Sequence, residues 1–127
     1  MITIAENKQY SIKVDVSKNR AYLKIIGFWR NKEDIPGYLN DWDKAIGKLK
    51  TGFTLLTDAT EMKIHPGDVR DVHSKAQKKV IDAGIRKVAE LHNSGGQEMQ
   101  LDSVSKETGM PKKNFDNEED ANKWLDE

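Results

Sequence analysis

The sequence predicts a single α/β domain over residues 1–127, with a core from about residue 10 to 126. A mostly parallel sheet of four to five strands begins with an antiparallel hairpin and is covered by four helices, in the order ββαβαβαβα. Two observations predict this class. Before residue 30 two strand-like segments are joined by a short turn, and after it apolar strands alternate with helical stripes. A short turn imposes an antiparallel pair, whereas helical connections impose parallel crossovers.

The first two strands are predicted at residues 10–16 and 21–29. Residues 10–16 alternate apolar and polar side chains, which is typical of a half-buried strand. Asn19, in the connection, readily adopts a positive φ, so a hairpin turn is expected there. A helix capped by Asn31 or Asp34 follows, because its apolar residues recur every three or four positions. These residues are Ile35, Leu39, Trp42, Ile46 and Leu49.

The rest of the chain repeats the strand–helix pattern. An apolar strand over residues 53–58 is followed by a helix that Asp68 is expected to cap, because aspartate is a preferred N-cap residue. Gly84 is expected to end that helix. The remaining elements are a strand over residues 85–91, a helix over 97–108, a short strand over 112–115 and a last helix capped by Asp116 or Asn117.

The composition narrows the classes of function. The chain has no cysteine, so disulfides, thiolate metal sites and cysteine nucleophiles are excluded. Lysines are scattered among acids and do not form a basic face, so no nucleic-acid partner is expected. No segment approaches the ~20 apolar residues of a membrane span, and no signal peptide is recognisable. A cytoplasmic protein without membrane insertion is therefore expected.

The closing segment carries a motif. A helix ending in Thr108-Gly109 leads to Phe115, then to Glu118-Glu119, Ala121 and Trp124-Leu125. Together with the element order, this segment resembles the STAS domain family, and its SpoIIAA-like branch in particular. The resemblance implies the anti-sigma factor antagonist fold and a non-enzymatic domain that acts by contact with a protein partner.

In the anti-sigma factor antagonists, a serine at the start of the second helix is phosphorylated, and this abolishes partner binding. The matching stretch here is Ile64-His65-Pro66-Gly67-Asp68-Val69, which contains no hydroxyl side chain. No phosphorylation site is therefore predicted. Asp68 is interpreted as an N-cap, with a fixed negative charge at the same helix end as the alternative.

The resemblance places the partner surface after the third strand, beside the end of the second. Trp29 ends the second strand before a polar turn. Core or rim packing is the favoured interpretation, with partial exposure at a pocket or dimer surface as the alternative. A homodimer is a further possibility, because the strand at residues 10–16 is a candidate free sheet edge. The predicted contact residues are Trp29, Asp58, His65, Pro66, Gly67 and Asp68.

One alternative function is a carrier or sensor of a small apolar, lipid-like ligand. SpoIIAA-like folds are similar to lipid-binding domains in which a sheet and mobile helices enclose a cavity. Such a cavity is expected beneath the second or third helix, near Met62, Met99 and Met110. Methionines adapt to irregular ligands, although they also fill ordinary core gaps.

A weaker alternative is a small enzyme. His65, His73 and Asp58 could converge and transfer protons or hold a metal, because loops at strand carboxyl ends meet. The sequence has no zinc-binding helix motif, glycine-rich phosphate loop or nucleophile elbow. Neither a catalytic residue, a metal site nor a cofactor is therefore predicted.

Overall fold

A six-stranded mixed sheet organises the chain, of which the computed structural model describes residues 1–127. None of the helices has the length and apolar character needed to cross a membrane. The strands are β1 (Ile2–Glu6), β2 (Tyr10–Asp15), β3 (Arg20–Gly27), β4 (Thr54–Met62), β5 (Lys87–Leu91) and β6 (Lys112–Phe115). The helices are α1 (Tyr38–Ile46), α2 (Gly67–Asp82), α3 (Gly95–Thr108) and α4 (Glu118–Asp126), with a short 3-10 turn at Lys32–Asp34.

The strands lie in sequence order across the sheet. The pairs β1–β2 and β2–β3 are antiparallel, and β3, β4, β5 and β6 are parallel. The predicted α/β class with an antiparallel hairpin before a parallel sheet is therefore confirmed, as is the turn at Asn19, whose φ is 53°. Because the three right-handed crossovers advance in one direction, α1, α2 and α3 lie on the same face.

The two faces of the sheet bury unequal cores. Twenty-two buried residues form the core under α1, α2 and α3, among them Ile12, Leu23 and Leu55. The other face buries five, of which Ala121 and Leu125 belong to α4. Alternate residues of a strand point to opposite faces, so Leu55 and Leu56 enter different cores.

Strand β1 was not predicted, so the sheet has one strand more than expected. The register of β1 against β2 shifts between Thr3 and Ala5, which interrupts the simple alternation that identifies a strand. The strand at Tyr10–Asp15 consequently has neighbours on both sides. The prediction that it is a free edge strand is wrong, because the two edge strands of the sheet are β1 and β6.

Several element ends also differ from prediction. Strand β4 continues past Asp58 to Met62, because this stretch still pairs with β3. Asn31 caps the 3-10 turn by accepting a hydrogen bond from the amide of Glu33, and α1 begins only after Gly37. Asp34 is not a cap and instead binds Arg30. At α4 the expected cap is Asn117, whose side chain accepts from the amide of Asp120.

Candidate interaction surface at the carboxyl edge of the sheet

Two connecting segments leave the sheet side by side at the carboxyl ends of β3 and β4. Gly27 ends β3 opposite Met62 of β4, and the amide of Lys63 donates to the carbonyl of Gly27 at 3.0 Å. The first segment begins with Phe28 and leads to α1, and the second, residues 63–66, leads to α2. This position is where α/β sheets commonly bind their partners, because parallel strands bring their following loops together.

Trp29 is fully buried, so the favoured prediction of packing is confirmed, and the alternative of partial exposure at a contact surface is wrong. Its indole Nε1 donates to the carbonyl of Gln9 at 3.0 Å. Leu23 and Ile25 of β3 face the larger core, and the period of two continues through Gly27 to Trp29. Phe28 consequently points away from that core and is 52% exposed.

His65 is also buried, contrary to its predicted place on a solvent-facing loop. Its Nε2 lies 3.0 Å from the carbonyl of Gly27, and its Nδ1 lies 2.9 Å from Nε2 of His73 in α2. A carbonyl only accepts, so Nε2 of His65 carries the proton and Nδ1 accepts from His73. We name this arrangement the histidine pair.

The indole of Trp29 covers the histidine pair. The imidazole planes of His65 and His73 differ by 5°, and the indole stacks on them with centroid distances of 4.8 and 5.1 Å. The ring of Tyr38 from α1 meets the indole edge-on at 5.2 Å. Flat rings from the two connecting segments thus pack against rings from α1 and α2 and hold the segments against the domain.

Both imidazoles are neutral at neutral pH. Burial, together with the neighbouring His65, lowers the pKa of His73 to about 3. Burial also lowers the pKa of His65, although its hydrogen bond to the carbonyl of Gly27 acts in the opposite direction. The neutral forms agree with the tautomers that the hydrogen bonds require.

Two glutamines of α3 hold the backbone of the second segment. The amide of His65 donates to Oε1 of Gln100 at 2.9 Å, and Nε2 of Gln100 donates back to the His65 carbonyl at 2.6 Å. Gln97 donates to the carbonyls of Thr60 and Met62 at 3.1 and 2.8 Å. No pattern in the sequence predicts a role for either glutamine.

Four residues of these two segments and the start of α2 are exposed, and a fifth, Pro66, is half-buried. We name these five residues the rim: Phe28, Ile64, Pro66, Gly67 and Asp68. Ile64 is 54% exposed, and its Cδ1 lies 3.2 Å from where a Cβ on Gly96 of α3 would stand. Pro66 is the N-cap of α2, which begins at Gly67. Phe28 and Ile64 were not among the predicted contact residues.

Asp68 is exposed in the first turn of α2. Its predicted N-cap role is wrong, because the extended backbone of Pro66 occupies that position and no side chain caps the helix. The carboxylate instead accepts a hydrogen bond from the amide of Lys32 at 3.2 Å. It therefore places a fixed negative charge at the positive end of the helix dipole.

Asp58 does not belong to this surface. It lies within β4 on the α4 face, where it lines a groove with Lys24, Leu91 and Glu118, and its carboxylate accepts from Thr60. Asp58 and His65 therefore lie on opposite faces of the sheet, so the hypothesis of a joint histidine–aspartate site is wrong. No group of three or more histidine or acidic residues is placed to hold a metal ion.

The three methionines do not share a cavity. A cavity of about 30 Å³ lies between the sheet and α1, α2 and α3, and Met110 lines it with Leu101 and His73. Met62 is buried elsewhere in the core, and Met99 is 74% exposed. The cavity has room for about one or two water molecules, so it is too small for an acyl chain.

A second buried polar cluster lies beside β5 and β6, and we name it the ionic network. Glu90 of β5, only 1% exposed, accepts from Nζ of Lys112 at 2.9 Å and lies 3.0 Å from Nε2 of His92. Lys112 also contacts Asp102 of α3, whose carboxylate is partly exposed. Asn114 donates to Asp102 at 3.2 Å. The network ties α3 to the edge of the sheet.

Comparison with known proteins supports the fold. No protein-family model matches the sequence, and no curated protein matches it. The chain is similar to the crystal structure of an uncharacterized DUF3478-family protein from Shewanella loihica PV-4, described as having a SpoIIAA-like fold. The two share 20% sequence identity with a TM-score of 0.68, over 95% of this chain and 97% of that chain. The predicted resemblance is thus confirmed: this chain has the SpoIIAA-like fold.

Proposed function

We propose that the chain is a non-enzymatic, STAS-like interaction domain that binds a protein partner through the rim. The observation that carries this proposal is the exposure of Phe28 and Ile64, 52% and 54%, on two different segments at one edge of the sheet. Large apolar side chains grouped on a surface mark interaction sites more often than scattered ones do. Aromatic side chains also contribute much of the binding energy in protein interfaces.

The support beneath the rim favours binding. The histidine pair and the two hydrogen bonds of Gln100 fix the backbone of residues 63–66. A surface that is ordered before binding loses less conformational entropy when the partner docks. Asp68 adds a charge at the margin, where charged groups influence partner choice and association rate more than affinity.

The rim lacks the hydroxyl that switches the anti-sigma factor antagonists. The segment from Ile64 to Val69 offers no acceptor for a phosphoryl group, and Asp68 is permanently negative at neutral pH. We therefore expect binding at the rim to be independent of phosphorylation within this segment. If binding of the partner is regulated, the regulation requires a mechanism other than phosphorylation of this segment.

A carrier of a small apolar ligand is the alternative. Its support is the cavity lined by Met110 beneath α2 and α3, in the predicted region. A volume of about 30 Å³ requires α3 to move before anything larger than water enters. Native mass spectrometry of freshly purified protein tests this alternative, because a bound acyl compound would add its mass to that of the chain.

The rim is tested with a double variant, Phe28→Ser with Ile64→Ser, and a matched control, Val16→Ser. Val16 is 54% exposed, as is Ile64. However, it follows β2, beside the end at which β3 begins, and so lies at the other end of the strands from the rim. Each chain is immobilised at pH 7.5, and proteins captured by the wild type but not by the double variant are identified. One of these is then purified, and its affinity for all three chains is measured.

The expected result is binding that is at least about tenfold weaker for the double variant and unchanged for Val16→Ser, since a buried apolar side chain contributes on the order of 1.5–3 kcal/mol. Amide shifts should map to the rim. Equal affinity for the three chains contradicts the proposal, as do shifts confined to the α4 face. The same holds if the double variant retains every protein that the wild type captures.

A further inference from the structure

The histidine pair lies among groups that offer little compensation for a positive charge. The side chains packed around it are neutral. Tyr38 of α1 faces His73, and Gln100 of α3 binds the His65 backbone. Asp41 of α1 lies behind Tyr10 and accepts the hydrogen bond of its hydroxyl. Another acid, Glu90 of β5, lines the same cavity as His73. Its Oε1 is already occupied by Lys112 and His92. A proton added to the pair would therefore create a poorly compensated buried charge.

The geometry of the pair opposes protonation in two steps. The His73 side chain makes its one hydrogen bond through Nε2, so a first proton at Nδ1 adds an N–H that no protein group accepts, on a residue that is only 4% exposed. A second proton must go to Nδ1 of His65. That N–H would face the N–H of His73 across 2.9 Å, where two donors repel each other. The doubly protonated pair cannot keep its present geometry.

We propose that the histidine pair is an acid-sensitive latch, which holds residues 63–66 against α2 and opens when both imidazoles take up protons. Opening carries His65 away from His73 and from the carbonyl of Gly27, so that both rings reach water. The segment moves with its exposed side chain, Ile64, because the two residues are adjacent in the chain. The distance between Ile64 and Phe28 changes, and the rim loses its shape.

The opening is local. Apart from His73, α2 is held by Val69, Val72, Ala76 and Val80, which are buried in the larger core. The core under α4 shares no residue with the pair. The loss of the latch therefore leaves the sheet and α4 in place. That opening weakens partner binding rests on the proposed function, whereas the latch itself is a property of the chain alone.

The experiment follows NMR signals of the isolated chain from pH 7.5 to pH 4.5. The reporters are the Trp29 indole N–H, which stacks over the pair, and the Ile64 methyl groups. The Leu125 methyl groups, in the core under α4, report on global unfolding. The test variants are His65→Gln and His73→Gln, singly and together. A glutamine amide can replace one imidazole N–H and does not titrate in this range. His92→Gln removes the remaining histidine and is the control.

In the wild type and in His92→Gln, the Trp29 and Ile64 signals should shift while those of Leu125 stay constant. Two protons change the ratio of open to closed forms about 100-fold per pH unit, and one changes it about tenfold. We expect a change of about 100-fold per pH unit in the wild type and in His92→Gln, and of about tenfold per pH unit in either single variant. The double variant should show no transition.

Three results would overturn the latch: no local shift before Leu125 reports unfolding, an unchanged transition in the double variant, or its loss in His92→Gln. If the double variant does not fold, the wild type, the single variants and the control still decide. Because no partner is present, failure of the latch leaves the rim untested, and failure of the rim at pH 7.5 leaves the latch intact.

Discussion

The histidine pair and the ionic network lie beside the same sheet, and they bury polar groups by opposite means. Under β3 and β4, His65 and His73 are buried without charge, and their hydrogen bonds involve only each other and a backbone carbonyl. Under β5 and β6, Glu90 is buried with a charge and is matched by Lys112 at 2.9 Å. The first cluster avoids the desolvation of ions, and the second offsets it by pairing.

The difference determines how each region responds to change. An imidazole in water becomes charged within one or two pH units of neutrality, whereas the buried imidazoles stay neutral there, so acid favours any state that exposes the histidine pair. A buried ion pair keeps its charges there, but it depends on the exact position of both partners. The ionic network thus holds α3 against β5 and β6 without responding to mild acid. The histidine pair beneath the rim, in contrast, is expected to respond to a fall in pH.

The largest effect is expected from Lys112→Met. The methionine fills the same space but leaves Glu90 with His92 as its one remaining partner. An uncompensated buried charge costs about 3–5 kcal/mol, so the free energy of unfolding should fall by that amount. Urea unfolding at pH 7.5 measures it.

The matched control for that substitution is Glu90→Met with Lys112→Met. Replacing both members of a buried ion pair by apolar residues is often neutral, so most of the stability should return. If Lys112→Met alone costs less than about 1 kcal/mol, Glu90 is not a buried charge that depends on the lysine, and the contrast between the two clusters fails.

A smaller effect is expected from mild acid. The folded pKa of His73, about 3, lies below the ordinary value of 6.5. The unfolded chain therefore takes up a proton first, so stability that is fully present above pH 6.5 is lost as the pH falls toward 3. His73 alone should reduce the free energy of unfolding by about 1 kcal/mol between pH 7 and 5.5, and His65 acts in the same direction.

Urea unfolding at pH 7, 6 and 5.5 measures this loss in the wild type, in His73→Gln and in His92→Gln. The carboxylates with lowered pKa titrate below this range and do not interfere. The slope should decrease in His73→Gln and persist in His92→Gln. Equal slopes in all three chains would mean that His73 is not a neutral buried group.

Local patterns in the sequence predicted most of the fold. The apolar residues spaced by three and four predicted a helix, and three of them, Leu39, Trp42 and Ile46, lie in α1 and pack against the larger core. The stripe predicted a longer helix, because Ile35 precedes α1 and Leu49 follows it. Strand β1 escaped prediction because its bulge between Thr3 and Ala5 breaks the period of two. Asp68 was predicted to cap α2 because aspartate is common at N-cap positions. The extended backbone of Pro66 makes that residue the N-cap instead.

The site was less accessible to sequence reasoning. The period of two through Leu23 and Ile25 extends to Trp29, so it indicates that Trp29 faces the core and that Phe28 does not. The pairing of His65 with His73 depends on how α2 leaves the sheet, which no local pattern encodes. The roles of Gln97 and Gln100 depend on the approach of α3 to residues 60–65, and a polar helical residue otherwise resembles surface.

The smallest effect is expected from Asp102→Asn, which separates the outer part of the ionic network from its buried centre. The carboxylate of Asp102 is 38% exposed, and that of Glu90 is 1% exposed. Burial alone would raise the pKa of Asp102, but hydrogen bonds from Lys112 and Asn114 outweigh it and lower the pKa. Asparagine retains an oxygen that accepts those bonds. Because water screens this side, the substitution should cost about 0.5 kcal/mol or less in urea unfolding at pH 7.5. A cost equal to that of Lys112→Met would show that the lysine depends on both acids, and that the network has no distinct buried centre.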